Sequence, residues 1–245
     1  MIRPYCYAAS LLVLLFPMNC LSFSETKTTP QPPQRPTEIP SVPNPVPRAP
    51  ETNQADAVDH VCLDRLRSAG TEFDPVTLDS SANPACAVDT SLKLKSVAIS
   101  SGTKARVRLP DEPTLSCSFS ERLSHWIRDL AAPLIVGKLA TELKAIRTGP
   151  GYECRNRNHA NEGKISAHAF GIAIDITSLE LADGRILAIG TTHDQQDQSV
   201  IDALRVAACG SFMTVLGPGA DAAHANHLHI DMMQHGTSDR YRICQ

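Results

Sequence analysis

The residues with the most chemical capacity in this chain fall in two short runs, Ser166-Ala-His168-Ala-Phe-Gly171-Ile-Ala173-Ile-Asp175 and His224-Ala-Asn-His227-Leu-His229-Ile-Asp231. From Gly171 onward, Ile172, Ile174 and Ile176 alternate with Ala173, Asp175 and Thr177. That is the period of a strand with one apolar face, so Asp175 leaves the other face. His168 precedes it across a turn at Gly171, a residue type that accepts the left-handed backbone such a turn can require. In the second run Leu228, Ile230 and Met232 share one face, and His227, His229 and Asp231 share the other. Catalytic zinc typically takes three protein ligands from His, Asp, Glu and Cys and keeps its fourth position for water. Two His and one Asp, with further His beside them, meet that demand. A single His of this kind is more often a surface or satisfied core residue. Four of the chain's nine His gathered in two strand-like runs, each with a carboxylate, favour a metal site.

Several elements must position these runs. Val58, Val61, Leu63 and Leu66 ahead of Gly70 predict a short helix with a glycine stop. Ser118-Phe-Ser-Glu121 reads as a capping box, followed at helical spacing by Phe119, Leu123, Trp126, Ile127, Leu130 and Leu134, which places the lone Trp in the core. Pro133 predicts a kink or division, after which Leu139, Leu143 and Ile146 continue the helical spacing toward Gly149 and Gly151. His125 lies beside that stripe and reads as structural. Asp197 to Ala208 reads as another helix, buried along Val200, Ile201, Leu204 and Ala208, and Phe212 to Leu216 as a strand. Ala182-Asp-Gly-Arg185 reads as a hairpin turn rather than a site for Asp183 and Arg185. The fold class is α+β: a small antiparallel sheet carrying the site, with helices against it.

A length of 245 residues suits one domain of ordinary size with appendages. A net charge of −3 offers no electrostatic case for nucleic acid. Residues 1–23 carry Arg3, an apolar run from Ala8 to Phe16 and then Pro17, the layout of a secretory signal peptide or N-terminal anchor. The run is shorter than the roughly 20 apolar residues of a membrane span. Cys20 raises lipidation, but Pro17, Met18 and Asn19 match a lipobox poorly. Residues 24–57 read as a Pro-rich linker that favours extended structure, with nine of the chain's 18 Pro between Pro30 and Pro50. The folded domain is assigned to residues 58–245, expected as a periplasmic or otherwise exported monomer, with membrane contact only through the N-terminus. Beyond Cys6 and Cys20 in the leader, Cys62, Cys86, Cys117, Cys154, Cys209 and Cys244 form an even set, which predicts disulfides in an exported chain. Six Cys allow about fifteen pairings, and spacing alone does not choose. Without a Cys-x-x-Cys pair, a thiolate zinc site is the weaker alternative.

The pattern Ser-x-His-x-x-Gly-x-Ala-x-Asp followed by His-x-His resembles the zinc DD-peptidase and Hedgehog-like superfamily of D-alanyl-D-alanine carboxypeptidases and peptidoglycan endopeptidases. With Gly151-Tyr-Glu-Cys-Arg155, Ala182-Asp-Gly-Arg185, Leu216-Gly-Pro-Gly219 and His224-x-x-His227-x-His229, the chain from about Val58 onward resembles more closely the extensin-like C-terminal domain family of bacterial proteins. The resemblance implies zinc on His168, Asp175 and His229, with His227 as the base beside it. Many relatives carry an acidic residue shortly before the last ligand. This chain has His224 there instead, like the endopeptidase branch that uses His at that place. Arg155 resembles the arginine of a Gly-Tyr-Arg element that binds substrate, with Glu153-Cys154 inserted. Ser166 is placed to hold substrate or a ligand, and Asp231 to orient His229 or His227. The resemblance further implies sequential bridges, Cys62 to Cys86, Cys117 to Cys154 and Cys209 to Cys244, the second tying Arg155 to the long helix. The expected function is hydrolysis of an amide bond in peptidoglycan peptide. The alternatives are a zinc-stabilised binding or structural module of the envelope and a purely structural wall protein, the latter resting on the Pro-rich segment alone.

Overall fold

A computed structural model describes residues 58–79, 83–88, 90–99, 105–190, 194–237 and 240–245. The leader, the Pro-rich segment, Cys6 and Cys20 lie outside the described residues. The first helix, α1 (His60–Ser68), starts where Asp59 accepts from Cys62 N–H and is followed by Gly70 at φ +76°. Cys62, Leu63 and Leu66 form its buried face, while Val58 and Val61 are exposed.

Three strands and a short fourth come next, in a stretch to which the sequence pattern assigned no element: β1 (Thr71–Val76), β2 (Ser91–Ala98), β3 (Arg106–Arg108) and β4 (Thr114–Ser116). In β2, Leu92 and Leu94 are buried and Lys93 and Lys95 point outward, the alternation of a half-buried strand. The long helix begins at α2 (Cys117–Trp126), capped by Ser116 rather than by Ser118: the Ser116 hydroxyl accepts from Phe119 N–H. Ser116 N–H is already held by Gly171 O, and Cys117 N–H by Thr90 O, so the chain is fixed at this point and turns into helix from there. Near Pro133 the helix changes type while its backbone stays helical. A π-helical turn at Ile127–Ala131 precedes the proline, and α3 (Ala132–Leu139) carries Pro133 in its first turn. The helix stops at Ala140, which is left-handed at φ 52°. Leu143–Thr148 is therefore not helix but strand β5, held between β3 and β6 (Ala173–Leu181).

The remaining elements are β7 (Ile186–Ala188), α4 (Gln195–Ser211), β8 (Thr214–Leu216), β9 (Leu228–Asp231) and β10 (Ile243–Cys244). The sheet is larger than expected, with ten strands among the described residues in the order β1-β2-β3-β5-β6-β9-β8-β10; β4 is added beside β2 and β7 beside β6. Its pairs are antiparallel except β3–β5 and β8–β10. Strand apolar faces and helix stripes share one core, in which Phe119 and Trp126 pack on Phe212 with ring centroids 5.8 and 6.1 Å away. In β6 the buried large apolar side chains are Ile174 and Ile176, then Leu179 and Leu181, with the small Ala173 buried on the site face. The shift in parity falls at a bulge where Arg147 pairs with Ser178 and Thr148 with Ile176, leaving Thr177 as the extra residue. Asp183 and Arg185 form the β6–β7 hairpin turn, and Arg185 also reaches Asp197 on α4 at 2.7 Å.

Among the described residues three disulfides are present, but two pairings differ from the sequential pattern: Cys62–Cys117, Cys86–Cys154 and Cys209–Cys244. The reason lies in packing. Helices α1 and α2 lie against each other and bring Cys62 to Cys117, the first residue of α2. Cys86 sits in a 3-10 turn whose carbonyl accepts from the Tyr152 hydroxyl, two residues before Cys154. Arg155 is thus tied to that turn and not to the long helix. Among the described residues no helix is long and apolar enough to cross a membrane.

Candidate metal centre

Strand pairing sets the site. In the β6–β9 register Asp175 stands opposite His229 and Ala173 opposite Asp231. His229 Nδ1 is 2.8 Å from Asp175 Oδ1, and its Nε2 is 3.0 Å from Asp231 Oδ2. His168 comes from a 3-10 turn (Ala167–Phe170) that begins where the Ser166 hydroxyl accepts from His168 N–H. The turn ends at Gly171, φ +62°, where a side chain's Cβ would lie 2.8 Å from Ser116 N. His168 Nε2 then sits 3.3 Å from His229 Nδ1 and 3.4 Å from Asp175 Oδ2. The ligand-capable atoms of His168, Asp175 and His229 lie within 4.8 Å of one another.

The outer nitrogens explain why the inner ones are available. His168 Nδ1 donates to the Gly151 carbonyl at 2.6 Å, which turns Nε2 inward. Asp231 accepts from His229 Nε2, so Nδ1 faces Asp175. Two nitrogens and a carboxylate converging with their far sides engaged are the donor set zinc takes in open sites. The residues present therefore fit such an ion.

In the metal-free arrangement the charges hold one another. Burial alone would raise the Asp175 pKa, but hydrogen bonds from His168 and His229 hold it well below the usual carboxylate range. Burial alone would lower the His229 pKa, yet bonds to Asp175 and Asp231 push it up to about 9. Asp231 is likewise shifted down, its burial outweighed by His229.

The other expected residues line the same cleft, of about 320 Å³. His227 Nδ1 donates to Asn226 Oδ1 at 3.0 Å, which leaves Nε2 unprotonated 3.5 Å from Asp175 Oδ1. Burial lowers the His227 pKa. His224 ends a 3-10 turn (Ala222–His224), and its ring lies 5.3 Å from that of His227 and 5.5 Å from that of His229. Arg155 lines the cleft with its Nε on Glu153 at 2.7 Å, so the inserted Glu153 holds the guanidinium. His125 lies apart, exposed against Arg128 and Asp129.

Two participants had not been foreseen: the Gly151 carbonyl and Asp221. Asp221 caps the turn and accepts from His224 Nδ1 at 2.7 Å. An Asp three residues before a His is a cap signal that could have disclosed it. No side-chain pattern discloses a backbone carbonyl.

A family model described as "Extensin-like protein C-terminus" matches residues 60–245, and the chain belongs to that family. No curated protein matches the chain, and no solved structure does.

Proposed function

We propose that this extensin-like chain is an exported zinc-dependent hydrolase that cleaves an amide bond in the peptide part of peptidoglycan, with His168, Asp175 and His229 as ligands. The observation that carries the reading is the convergence of those three side chains with their outer nitrogens already taken, beside two further imidazoles in one cleft. The pattern Ser166-x-His168-x-x-Gly171-x-Ala173-x-Asp175 with His227-x-His229 supports placement among the zinc DD-peptidases. Three disulfides support an oxidising compartment, the periplasm among them.

A zinc ion held by His168, Asp175 and His229 would supply Lewis acidity, activating water and polarising a carbonyl oxygen. His227, kept neutral by burial and with Nε2 unprotonated, takes a proton at that atom and returns it to the leaving nitrogen. His224, fixed through Nδ1 by Asp221, presents its other nitrogen to the same space. Arg155, with Nη1 on the Asn156 carbonyl, keeps further N–H groups for a substrate carbonyl or carboxylate. Ser166 holds the His168 turn and lines the cleft beside it.

The test is to incubate purified zinc-loaded protein with peptidoglycan fragments and identify products by mass spectrometry. Loss of D-Ala or opening of a cross-link, abolished in His168→Ala, is the expected result. Stoichiometric zinc with intact fragments would instead make the chain a zinc-stabilised binding module.

A further inference from the structure

Behind His229 the hydrogen bonds continue. Thr214 on β8 stands directly opposite Asp231 on β9, and its hydroxyl bonds the Asp231 carboxyl. The same hydroxyl oxygen lies 2.8 Å from His235 Nε2. A carboxylate only accepts, and a hydroxyl has one proton to give. That proton goes to Asp231, so the Thr214 oxygen accepts from His235 and Nε2 of His235 carries a hydrogen. The order is therefore His235 N–H to Thr214 O–H to Asp231, which also receives Met233 N–H at 2.8 Å and His229 Nε2 at 3.0 Å. Three donors directed at it hold the Asp231 carboxylate in place, and the His229 ring cannot turn without losing its bond to that carboxylate.

The outer end of the chain is built as well. His235 is half-buried, lines the cleft and meets Tyr241 edge-on at 6.3 Å between ring centroids. The segment beyond it returns to β8 through β10, where Ile243 pairs with Thr214 and Cys244 is bridged to Cys209.

We infer that Thr214 and His235 are positioning residues for the metal centre, fixing Asp231 so that His229 presents Nδ1 to the ion. This rests on the metal reading of the site given above, and it makes the C-terminal segment part of the centre rather than a strap at the sheet edge.

The experiment measures zinc affinity of the full chain by competition with a chelating dye, alongside circular dichroism to confirm folding. Thr214→Val keeps the shape and removes the hydroxyl; it should weaken zinc binding by about 10- to 100-fold, the usual effect of losing an outer partner of a ligand. Thr214→Ser should restore wild-type affinity. His235→Leu should weaken binding similarly, and the double variant Thr214→Val/His235→Leu should be no worse than Thr214→Val alone, because both break one chain. Should Thr214→Val fail to fold, His235→Leu and Thr214→Ser decide the matter. Wild-type affinity in Thr214→Val or His235→Leu, or a Ser variant as weak as the Val variant, overturns the positioning role. A wild-type chain that takes up no zinc at all sinks the metal reading itself and the positioning role with it.

Discussion

Asp175 and His229 stand directly opposite each other across the β6–β9 pair, with carboxylate Oδ1 2.8 Å from imidazole Nδ1. His227 leaves the chain two residues earlier, yet its Nε2 stops 3.5 Å from the same oxygen and its Nδ1 is engaged by its neighbour Asn226. One carboxylate thus faces three imidazoles, and what separates their roles is the partner of the far nitrogen. For His168 and His229 it is an acceptor anchored in the fold, the Gly151 carbonyl or Asp231; for His227 it is an adjacent side chain on the cleft wall.

Replacing a ligand and replacing the base should therefore differ. His229→Ala or His168→Ala is expected to lose the metal and all activity, since two remaining protein groups hold zinc poorly. His227→Ala should keep near-stoichiometric zinc while turnover falls by about 10² to 10⁴-fold, the range general acid–base groups contribute. Metal content by mass spectrometry beside hydrolysis rate separates the cases. Zinc lost from the His227 variant and kept in the His229 variant would reverse the roles.

How far the site was legible follows from what each signal encodes. Alternation of Ile174 with Asp175 and of Leu228 with His229 fixes which side chains share a face, and the structure keeps those faces. It does not encode which strands pair, so the opposition of Asp175 to His229, and of Thr214 to Asp231, was open until the register was known. Leu139, Leu143 and Ile146 have helical spacing, but a left-handed Ala140 ends the helix and pairing with β3 and β6 draws Leu143–Thr148 into the sheet. The alternation of Leu92 and Leu94 with Lys93 and Lys95 is a readable strand signal, whereas its partner β1 carries Pro75 and has no strong pattern of its own. Disulfide partners depend on which elements pack together, information that spacing along the chain lacks.

Metal-free protein should lose stability on the alkaline side. His229 has its pKa raised to about 9 in the fold, so its contribution is complete below about 6.5, the unfolded value, and disappears as pH rises through about 9. Asp175 is shifted the other way; its contribution is present above about 4 and is lost as pH falls. These describe one shared interaction, not two. In EDTA the melting temperature should fall between pH 6.5 and 9, and His229→Gln should flatten that slope. A melting temperature that climbs across this window in the wild-type chain would contradict the charge arrangement.

Disulfide mapping by non-reducing digestion should return Cys62–Cys117, Cys86–Cys154 and Cys209–Cys244. A Cys62–Cys86 peptide would refute the crossed pairing. Removing the Cys86–Cys154 bridge by double substitution to Ala should cost about 2 to 5 kcal/mol in denaturant unfolding, the usual effect of a native bridge. Because Cys154 follows Gly151 by three residues, zinc affinity should fall with it, whereas loss of Cys62–Cys117 should leave affinity unchanged.

Gly151 offers the sharpest test of the His168 tautomer, since its carbonyl is the acceptor and its backbone is constrained. Its φ is +79°, and a Cβ would collide with the Thr114 carbonyl oxygen. The segment cannot step aside freely, because Tyr152 N–H donates to that same oxygen at 2.7 Å and Thr114 N–H to Pro150 O at 3.0 Å. Gly151→Ala should shift the carbonyl away from His168 Nδ1, freeing the ring and weakening zinc binding by about 10- to 100-fold. Gly184 supplies the control: its φ is +89°, but a Cβ there meets nothing within 4 Å, and it lies in the hairpin away from the cleft. Gly184→Ala should cost about 1 to 2 kcal/mol from the left-handed backbone alone while zinc affinity stays at wild type. Equal zinc affinity in both variants, with both folded, would show that the Gly151 carbonyl does not hold the ligand.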